Sequence, residues 1–501
     1  MESLNHLLHG FAIAATGWNL CYCLIGVTVG MFVGVMPGLG PVAGTAILIP
    51  LTFGMEPVSA IIMLSGIYYG AMYGGTITSV LINTPGEGAS VITCIDGYEM
   101  TKQGRAGTAL GVSAIGSFVG GTVAVIGLTF FAPVLAKFAL RFGPPEFFCL
   151  MLLGMMMLVS LMGQSLVKGM MAALFGFVLA MIGLDPVTAE LRFTFGLVNM
   201  YSGIELTALA MGLFGISEIM IGAEEKLIRK KPPRLKKLLP ESKEWKPTMN
   251  AIWRGSGIGF LVGLLPGANA VIASLISYSV EKKVAKDPSR FGKGAIEGVA
   301  GPETANNACA GAATIPLFTL GIPSSPTIAV LFGAFMLHGL TPGPMLFQDN
   351  SAFVWGVIAS FYIGNVILVI MNLPLARLWA KVAMVPFDIL FPLVLIFCIV
   401  GAYSVNNRLW DVGVMLIFGV IGYFMKKMGF PAAAAVLPFV LGLKMEAAFV
   451  QSLYISGGSM KIFLTSPICV GILCFVAVLI GGSIYSSLKN KRGMLSGDIE
   501  A

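Results

Sequence analysis

Four short segments place proline and glycine inside otherwise apolar stretches, three of them beside small polar side chains. They cover residues 36–41, 83–88, 266–269 and 321–326. Proline removes a backbone donor and breaks a helix, and glycine tolerates the open backbone beside it. At membrane depth such backbone persists only where protein buries it or where it lines a watery cavity. The pattern therefore predicts that broken membrane helices form a site for a solute.

The chemistry that these breaks offer suits an anion. A helix N-terminus presents unpaired N–H groups and a fractional positive charge, which together attract carboxylates and phosphates. Nearby hydroxyl and amide side chains add neutral donors, so an anion could be held without a buried lysine or arginine. The candidate substrate-binding residues are Gly38, Leu39, Gly40, Asn83, Thr84, Pro85, Gly86, Gly267, Ala268, Asn269, Asn306, Asn307, Pro323, Ser324 and Ser325.

A cation could bind at the same breaks, because free carbonyl oxygens are ligands suited to sodium. The candidates for cation coupling are Thr76, Thr314, Gly321 and Glu303. A glutamate within a membrane is a functional candidate by default. The alternative for both Glu303 and Glu87 is that they lie at the membrane interface and cap helices. Glu205 and Glu218 are predicted to lie in or beside a terminal span, away from the breaks, where they could pair with a partner helix.

The composition is that of a membrane protein. Of the 501 residues, 56% are hydrophobic and 11% are charged, whereas soluble domains carry about 25% charged residues. At about 20 residues per crossing, the apolar runs predict an all-α polytopic protein with about 10–12 transmembrane segments. The net charge of +7 comes largely from loops and the C-terminal tail. The positive-inside effect explains that charge, so no nucleic-acid partner is expected.

Motifs for catalysis and metal binding are missing from the sequence. The eight cysteines lie mostly in apolar runs and the three histidines are scattered, which predicts neither a disulfide framework nor a transition-metal site. The sequence contains no phosphate-binding GxxxxGK[ST] loop, no GxSxG elbow and no HExxH helix. We therefore expect a protein that is not an enzyme and needs no cofactor.

The second half of the chain repeats the first. Gly30, Val33, Gly34, Pro37, Gly38 and Val42 recur 229 residues later, and the segment from Thr76 to Pro85 aligns with Thr314 to Pro323. This predicts an N-terminal interfacial segment (1–17), repeat 1 (18–222), a basic linker (223–254), repeat 2 (255–488) and a polar C-terminal tail (489–501). The linker carries nine Lys and Arg against four Glu between residues 223 and 249, which predicts a cytoplasmic position.

Two orientations of the repeats are open at this point. Inverted repeats place paired breaks on opposite sides of one midplane site, which favours inversion on functional grounds. Both repeats nevertheless end in basic segments, which would suit ends on the same side of the membrane.

Four longer motifs closely resemble TctA, the large membrane subunit of the bacterial tripartite tricarboxylate transporters. They are GVMPGLGPVAGTAILIPLTF (34–53), YYGAMYGGTITSVLINTPGEG (68–88), GLLPGANAVIASLISYSVEKK (263–283) and GPETANNACAGAATIPLFTLGIPSSPTIAVLFGAFMLHGLTPGP (301–344). The resemblance covers essentially the whole chain, and the motifs occur in the same order.

The resemblance implies a multi-pass protein of the bacterial inner membrane that imports citrate or related tri- and dicarboxylates. The coupling ion would be sodium, with protons as the alternative. The implied partners are the lipid bilayer, a small TctB-like membrane subunit and a periplasmic TctC-like solute-binding protein, in an assembly compatible with a dimer of heterodimers. The plan is similar to that of elevator-type transporters, with residues 30–110 and 259–345 as the mobile core against a scaffold.

Three other functions are open to a chain of this composition. An organic-anion channel would need an open pore, and a structural or receptor membrane protein would have no use for paired broken helices. A membrane enzyme would need a catalytic base, and none stands out near Ser324.

Overall fold

The computed structural model describes residues 2–36, 39–162, 165–224, 235, 237–265, 267, 269–382, 385 and 387–497. Two of the predicted substrate-binding residues, Gly38 and Ala268, lie outside the described residues. Part of the basic linker, residues 225–234 and 236, and the last residues of the C-terminal tail also lie outside them.

The first half of the described chain is helical apart from one short hairpin. Its helices are α1 (Glu2–Ala14), α2 (Gly17–Val35), α3 (Gly40–Leu48), α4 (Pro57–Ile82), α5 (Val91–Lys102), α6 (Ala106–Ala139), α7 (Pro144–Met162), α8 (Leu166–Ala180), α9 (Leu206–Ala210) and α10 (Ser217–Glu224). A π-helical segment, Met211–Ile216, joins α9 to α10, and strands β1 (Gly183–Leu184) and β2 (Leu191–Arg192) pair antiparallel.

The second half is helical throughout its elements. The helices are α11 (Trp245–Gly263), α12 (Ala270–Val284), α13 (Glu297–Ala312), α14 (Thr314–Leu320), α15 (Pro326–Leu337), α16 (Leu346–Asp349), α17 (Ser351–Asn372), α18 (Ala376–Val382), α19 (Phe387–Asn406), α20 (Leu409–Lys427), α21 (Ala433–Ile455), α22 (Ile462–Thr465) and α23 (Pro467–Gly497).

The predicted all-α polytopic fold is confirmed. Among the described residues, seven helices are long and apolar enough to cross a membrane, and six shorter apolar helices accompany them. Helix α4, which ends at a break, is the most enclosed of the seven, since its apolar window is entirely buried. Helices such as α20 expose large apolar side chains on their outer side, which suits contact with lipid.

Two helix pairs pack backbone to backbone through glycines at every fourth position. A Cβ on these glycines would lie 2.2–2.5 Å from a carbonyl oxygen of the facing helix, so only glycine allows the approach. The contacts of α2 with α4 are Gly26–Met63, Gly30–Ile67 and Gly34–Ala71. Those of α11 with α13 are Gly255–Gly301, Gly259–Ala305 and Gly263–Cys309. The second set lies 229 and 238 residues beyond the first, which are the offsets found in the sequence.

The directions of these pairs bear on how the two halves are related. Helix α2 runs parallel to α4, and α11 runs parallel to α13, as the order of the glycine contacts requires. Between the pairs, Thr76 of α4 lies beside Glu303 of α13, and Tyr69 lies beside Gly311. The residue numbers fall along one helix as they rise along the other, so α4 and α13 are antiparallel. This is the relation that the predicted inverted repeats would produce.

Candidate functional site

Two of the breaks turn the chain in the same way at positions 238 residues apart. Asn83 ends α4 with φ 58°, and Gly321 ends α14 with φ 66°. Both are left-handed conformations, which glycine and asparagine adopt at helix C-termini more easily than other residues. At each turn the next peptide N–H bonds back to a carbonyl six residues earlier, at 3.4 and 3.3 Å.

After each break a new helix begins, and at three of the four breaks a side chain caps its first turn. Ser325 accepts a hydrogen bond from the N–H of Ile328 at 3.3 Å, and Asn269 accepts one from Ile272 at 3.1 Å. Glu87 accepts one from the N–H of Ala89 at 3.0 Å, which confirms the helix cap in the alternative for this residue, while its position at the membrane interface stays a prediction. At the remaining break α3 begins directly at Gly40, whose φ is 52°.

The four helix starts meet around one cavity of about 580 Å³. Predicted site residues from all four breaks line it: Leu39, Gly40, Pro85, Gly86, Asn269 and Ser325. The first turns of α3, α12 and α15 and the turn leading into α5 therefore face a common space. Their unpaired N–H groups and dipoles favour an anion there. Two of these helix starts belong to the first half of the chain and two belong to the second half.

Other predicted residues support the breaks from behind the cavity wall. The N–H of Gly267 donates to the carbonyl of Ser324 at 3.0 Å, which joins the third break to the fourth. The Ser324 hydroxyl is fully buried and donates to the carbonyl of Ala313 at 2.8 Å. Pro323 is also buried. Asn83 and Thr84 form the outer turn after α4 rather than the lining.

Glu303 forms a second, separate polar cluster. Its side chain is fully buried in the middle of α13, so the interfacial-cap alternative for this residue is wrong. The hydroxyl of Thr76 donates to its carboxylate at 2.6 Å and that of Ser113 at 3.3 Å, and Thr93 of α5 bonds to the other oxygen. Asn306 donates at 3.4 Å. Among the described residues, the recorded hydrogen-bond partners of this carboxylate are all neutral.

Asn306 and Asn307, two of the four asparagines predicted to bind substrate, belong to this cluster rather than to the cavity lining. Asn307 donates to the hydroxyl of Ser117 at 2.8 Å and to the carbonyl of Glu303 at 3.1 Å. Its Oδ1 atom is buried and has no hydrogen-bond partner among the described residues. The burial of both asparagines follows from their place on α13, which other helices surround.

Two of the four predicted cation-coupling residues lie apart from Glu303. Thr314 is eleven positions further along the chain, about 16 Å at the rise of a helix. Its hydroxyl donates to the carbonyl of Gly311 at 2.7 Å. Gly321 packs against Pro342 and Gly343 at the outer end of its break.

An ion pair between two helices lies on the cavity wall; the expectation that Glu218 pairs with a partner helix is confirmed, but the sequence analysis did not single out Lys426. Lys426 and Glu218, 2.5 Å apart, both line the cavity, so the prediction that Glu218 lies away from the breaks is wrong. Glu205 caps α9 by accepting from the N–H of Ala208 at 2.8 Å. Glu218 lies far from the breaks in sequence, and only the packing of α10 against α20 brings the pair to the cavity.

Fold and site together define a polytopic, predominantly helical membrane protein whose interrupted helices meet at one cavity. The chain belongs to the tripartite tricarboxylate transporter TctA family, whose model matches residues 20–437. The resemblance seen in the sequence motifs is thereby confirmed, and the family is one of transporters.

Two relatives come from Agrobacterium vitis. One, described as an uncharacterized 52.8 kDa protein in the TAR-I ttuC' 3' region, is 43% identical over 493 residues, which is 98% of each chain. The other, an uncharacterized protein in the TAR-II ttuC' 3' region, is 46% identical over 234 residues, covering 47% of this chain and 97% of its own. No solved structure matches this chain.

Proposed function

We propose that this protein is the large membrane subunit of a secondary transporter that imports di- and tricarboxylates across the bacterial inner membrane. The observation that carries the proposal is the cavity of about 580 Å³ at which four helix starts, two from each half of the chain, converge. Membership of the tripartite tricarboxylate transporter TctA family supports it. No phosphate-binding motif for a nucleotide occurs in the sequence, so an ion gradient supplies the energy.

One carboxylate of the substrate binds at the helix starts. Backbone N–H groups of the first turns donate to it, and the helix dipoles add a favourable field. The caps Asn269 and Ser325 hold those turns in place by accepting from N–H groups of α12 and α15. Such neutral donors stabilise an anion without a full countercharge at this point, which lets it be released on the other side.

The Glu303 cluster couples transport to a cation, and we propose sodium. Its carboxylate, the hydroxyls of Thr76 and Ser113, and the unpartnered Oδ1 of Asn307 are oxygen ligands of the type that sodium prefers. The cluster joins α4, α5 and α6 to α13, so an ion bound there would tie the two halves together. Proton uptake by the same carboxylate is the alternative, and imposed gradients distinguish the two.

The movement that exposes the cavity to each side follows from inverted repeats. The antiparallel directions of α4 and α13 and the glycine contacts at offsets of 229 and 238 support this relation. We propose that residues 30–110 and 259–345 move together as a core against the remaining helices. A small TctB-like subunit would complete the membrane part, and a periplasmic TctC-like protein would deliver the substrate.

The test is a binding and uptake screen of the purified protein with its small membrane subunit. Butyrate, succinate and citrate are each compared with and without a sodium gradient. Saturable, gradient-dependent uptake of succinate or citrate is expected, and conductance without saturation would contradict the proposal.

A charge placed in the cavity tests the position of the anion. Val271, the second residue of α12, lines the cavity and is 37% exposed. Val271→Asp puts a tethered carboxylate at a helix start, where the dipole tolerates it. We expect this variant to lose at least tenfold in uptake, because its own carboxylate occupies the anion position. Val271→Asn, of nearly the same shape, is the matched control and should retain most uptake; equal loss in both would contradict the assignment.

A further inference from the structure

We infer that Lys426 and Glu218 select the substrate's charge: Lys426 leaves Glu218 and binds a second carboxylate of the substrate. This inference rests on the proposed function and deepens it by naming the side chains that distinguish a substrate with two carboxylates from a substrate with one. Among the described residues, Lys426 is the cationic side chain that lines the cavity.

The position of the pair supports an exchange of partners. Lys426 lies in the last turn of α20 and Glu218 in the first turn of α10, and both belong to the cavity lining. Their side chains are 49% and 20% exposed. An ion pair so open to solvent contributes little stability, so parting it costs little. A carboxylate from the substrate would replace that of Glu218 with bonds of the same chemical type.

The two anion-binding features of the cavity lie on different parts of the protein. The helix starts belong to residues 30–110 and 259–345, the proposed mobile core, whereas Lys426 and Glu218 lie outside these ranges. A substrate with one carboxylate could occupy only one of the two features. A substrate with two could bridge them, and Glu218 would neutralise Lys426 again once the core had moved away.

The adjacent lysine offers a matched control. Lys427 forms its own ion pair with Glu224 at 2.6 Å and is 48% exposed, so it resembles Lys426 in charge, exposure and pairing. It does not belong to the cavity lining described above. A change at Lys427 therefore removes an equivalent surface ion pair without touching the cavity.

The test measures binding of succinate and of butyrate, which share a four-carbon chain and differ by one carboxylate. We expect Lys426→Gln to weaken succinate binding about 10- to 100-fold, the range of one charge-assisted hydrogen bond, and to leave butyrate binding unchanged. Glu218→Gln removes the competing carboxylate and should strengthen succinate binding several-fold. Lys427→Gln should behave as the wild type.

Several results would overturn the inference. One is a wild type that binds succinate no more tightly than butyrate. Another is a Lys426→Gln variant whose affinities for succinate and butyrate fall equally, or in which neither falls. The third is a Glu218→Gln variant that binds succinate no more tightly than the wild type. If Lys426→Gln does not fold, the Glu218→Gln result decides. A wild type that takes up no carboxylate at all would instead refute the proposed function.

Discussion

Glu303 is a fully buried carboxylate surrounded by neutral hydroxyl and amide groups. A buried charge without a countercharge is costly, so such a group either carries a proton or binds a cation. That property, together with the unpartnered Oδ1 of Asn307, makes this cluster the candidate for energy coupling.

Removing the charge of Glu303 tests this role. Glu303→Gln keeps the size of the side chain and its ability to bond to the hydroxyls, but it can neither ionise nor attract a cation. We expect accumulation driven by a sodium gradient to fall at least tenfold in proteoliposomes, while substrate binding without a gradient persists. An imposed pH gradient in place of sodium shows which ion the wild type uses.

Glu297 provides the control for this change. It lies on the same helix and is ion-paired with Arg290 at 2.6 Å, outside the cluster. Glu297→Gln should accumulate substrate in response to the sodium gradient as the wild type does. Gradient-driven uptake by Glu303→Gln at the wild-type level would exclude a coupling role.

At the residue scale, the sequence predicted the residues of the breaks better than their partners. Pro85, Gly86, Asn269 and Ser325 were predicted from the breaks themselves, because proline, glycine and capping residues act locally. The hydroxyl of Thr93 could not be predicted as a partner of Glu303, since 210 residues separate them. Contacts between distant helices depend on packing, for which the spacing of residues along the chain gives no signal.

Among the elements, the packing of α11 against α13 makes a sharp prediction. A Cβ on Gly259 would lie 2.2 Å from the carbonyl oxygen of Ala305, whereas one on Gly257 of the same helix meets nothing within 4 Å. Gly259→Ala should therefore destabilise the protein by about 1–3 kcal/mol through overpacking. Gly257→Ala should be neutral, or stabilising by up to about 1 kcal/mol from helix propensity.

The melting temperature of the detergent-purified protein checks both changes. The two variants make the same chemical substitution two positions apart, so any difference reports the local contact. A Gly259→Ala variant as stable as Gly257→Ala would show that α11 and α13 are not packed this closely.

At the element scale, the long helices were predictable and the special segments were not. Apolar runs of the right length indicate helices such as α4 and α17 directly. The π-helical segment Met211–Ile216 and the pairing of β1 with β2 have no equivalent signal, because neither differs in composition from its surroundings. The repeat offsets were visible in the sequence, but the antiparallel directions of α4 and α13 required the structure.

For the whole molecule, a disulfide between the proposed core and scaffold tests their relative movement. A Cβ on Gly333 of α15 would lie 4.0 Å from the Cβ of Leu206 on α9, within the range for a disulfide. The pair Leu206→Cys and Gly333→Cys, in a background without the eight native cysteines, should abolish uptake under oxidising conditions. Reductant should restore uptake, because only the movement was blocked.

A second disulfide provides the comparison. A Cβ on Gly356 would lie 3.5 Å from that of Ile13, and both residues lie outside the proposed core. Ile13→Cys with Gly356→Cys should leave uptake intact when oxidised. Full uptake by the oxidised Leu206–Gly333 pair would contradict a core that moves past α9.

The account as a whole depends on an anion held where four helices begin. The most direct measurement is a density map of the purified two-subunit complex with and without its preferred carboxylate. We expect ligand density beside Gly40, Gly86, Asn269 and Ser325, within hydrogen-bond distance of backbone N–H groups. Density for the carboxylate elsewhere, with this cavity the same in both maps, would contradict the central claim.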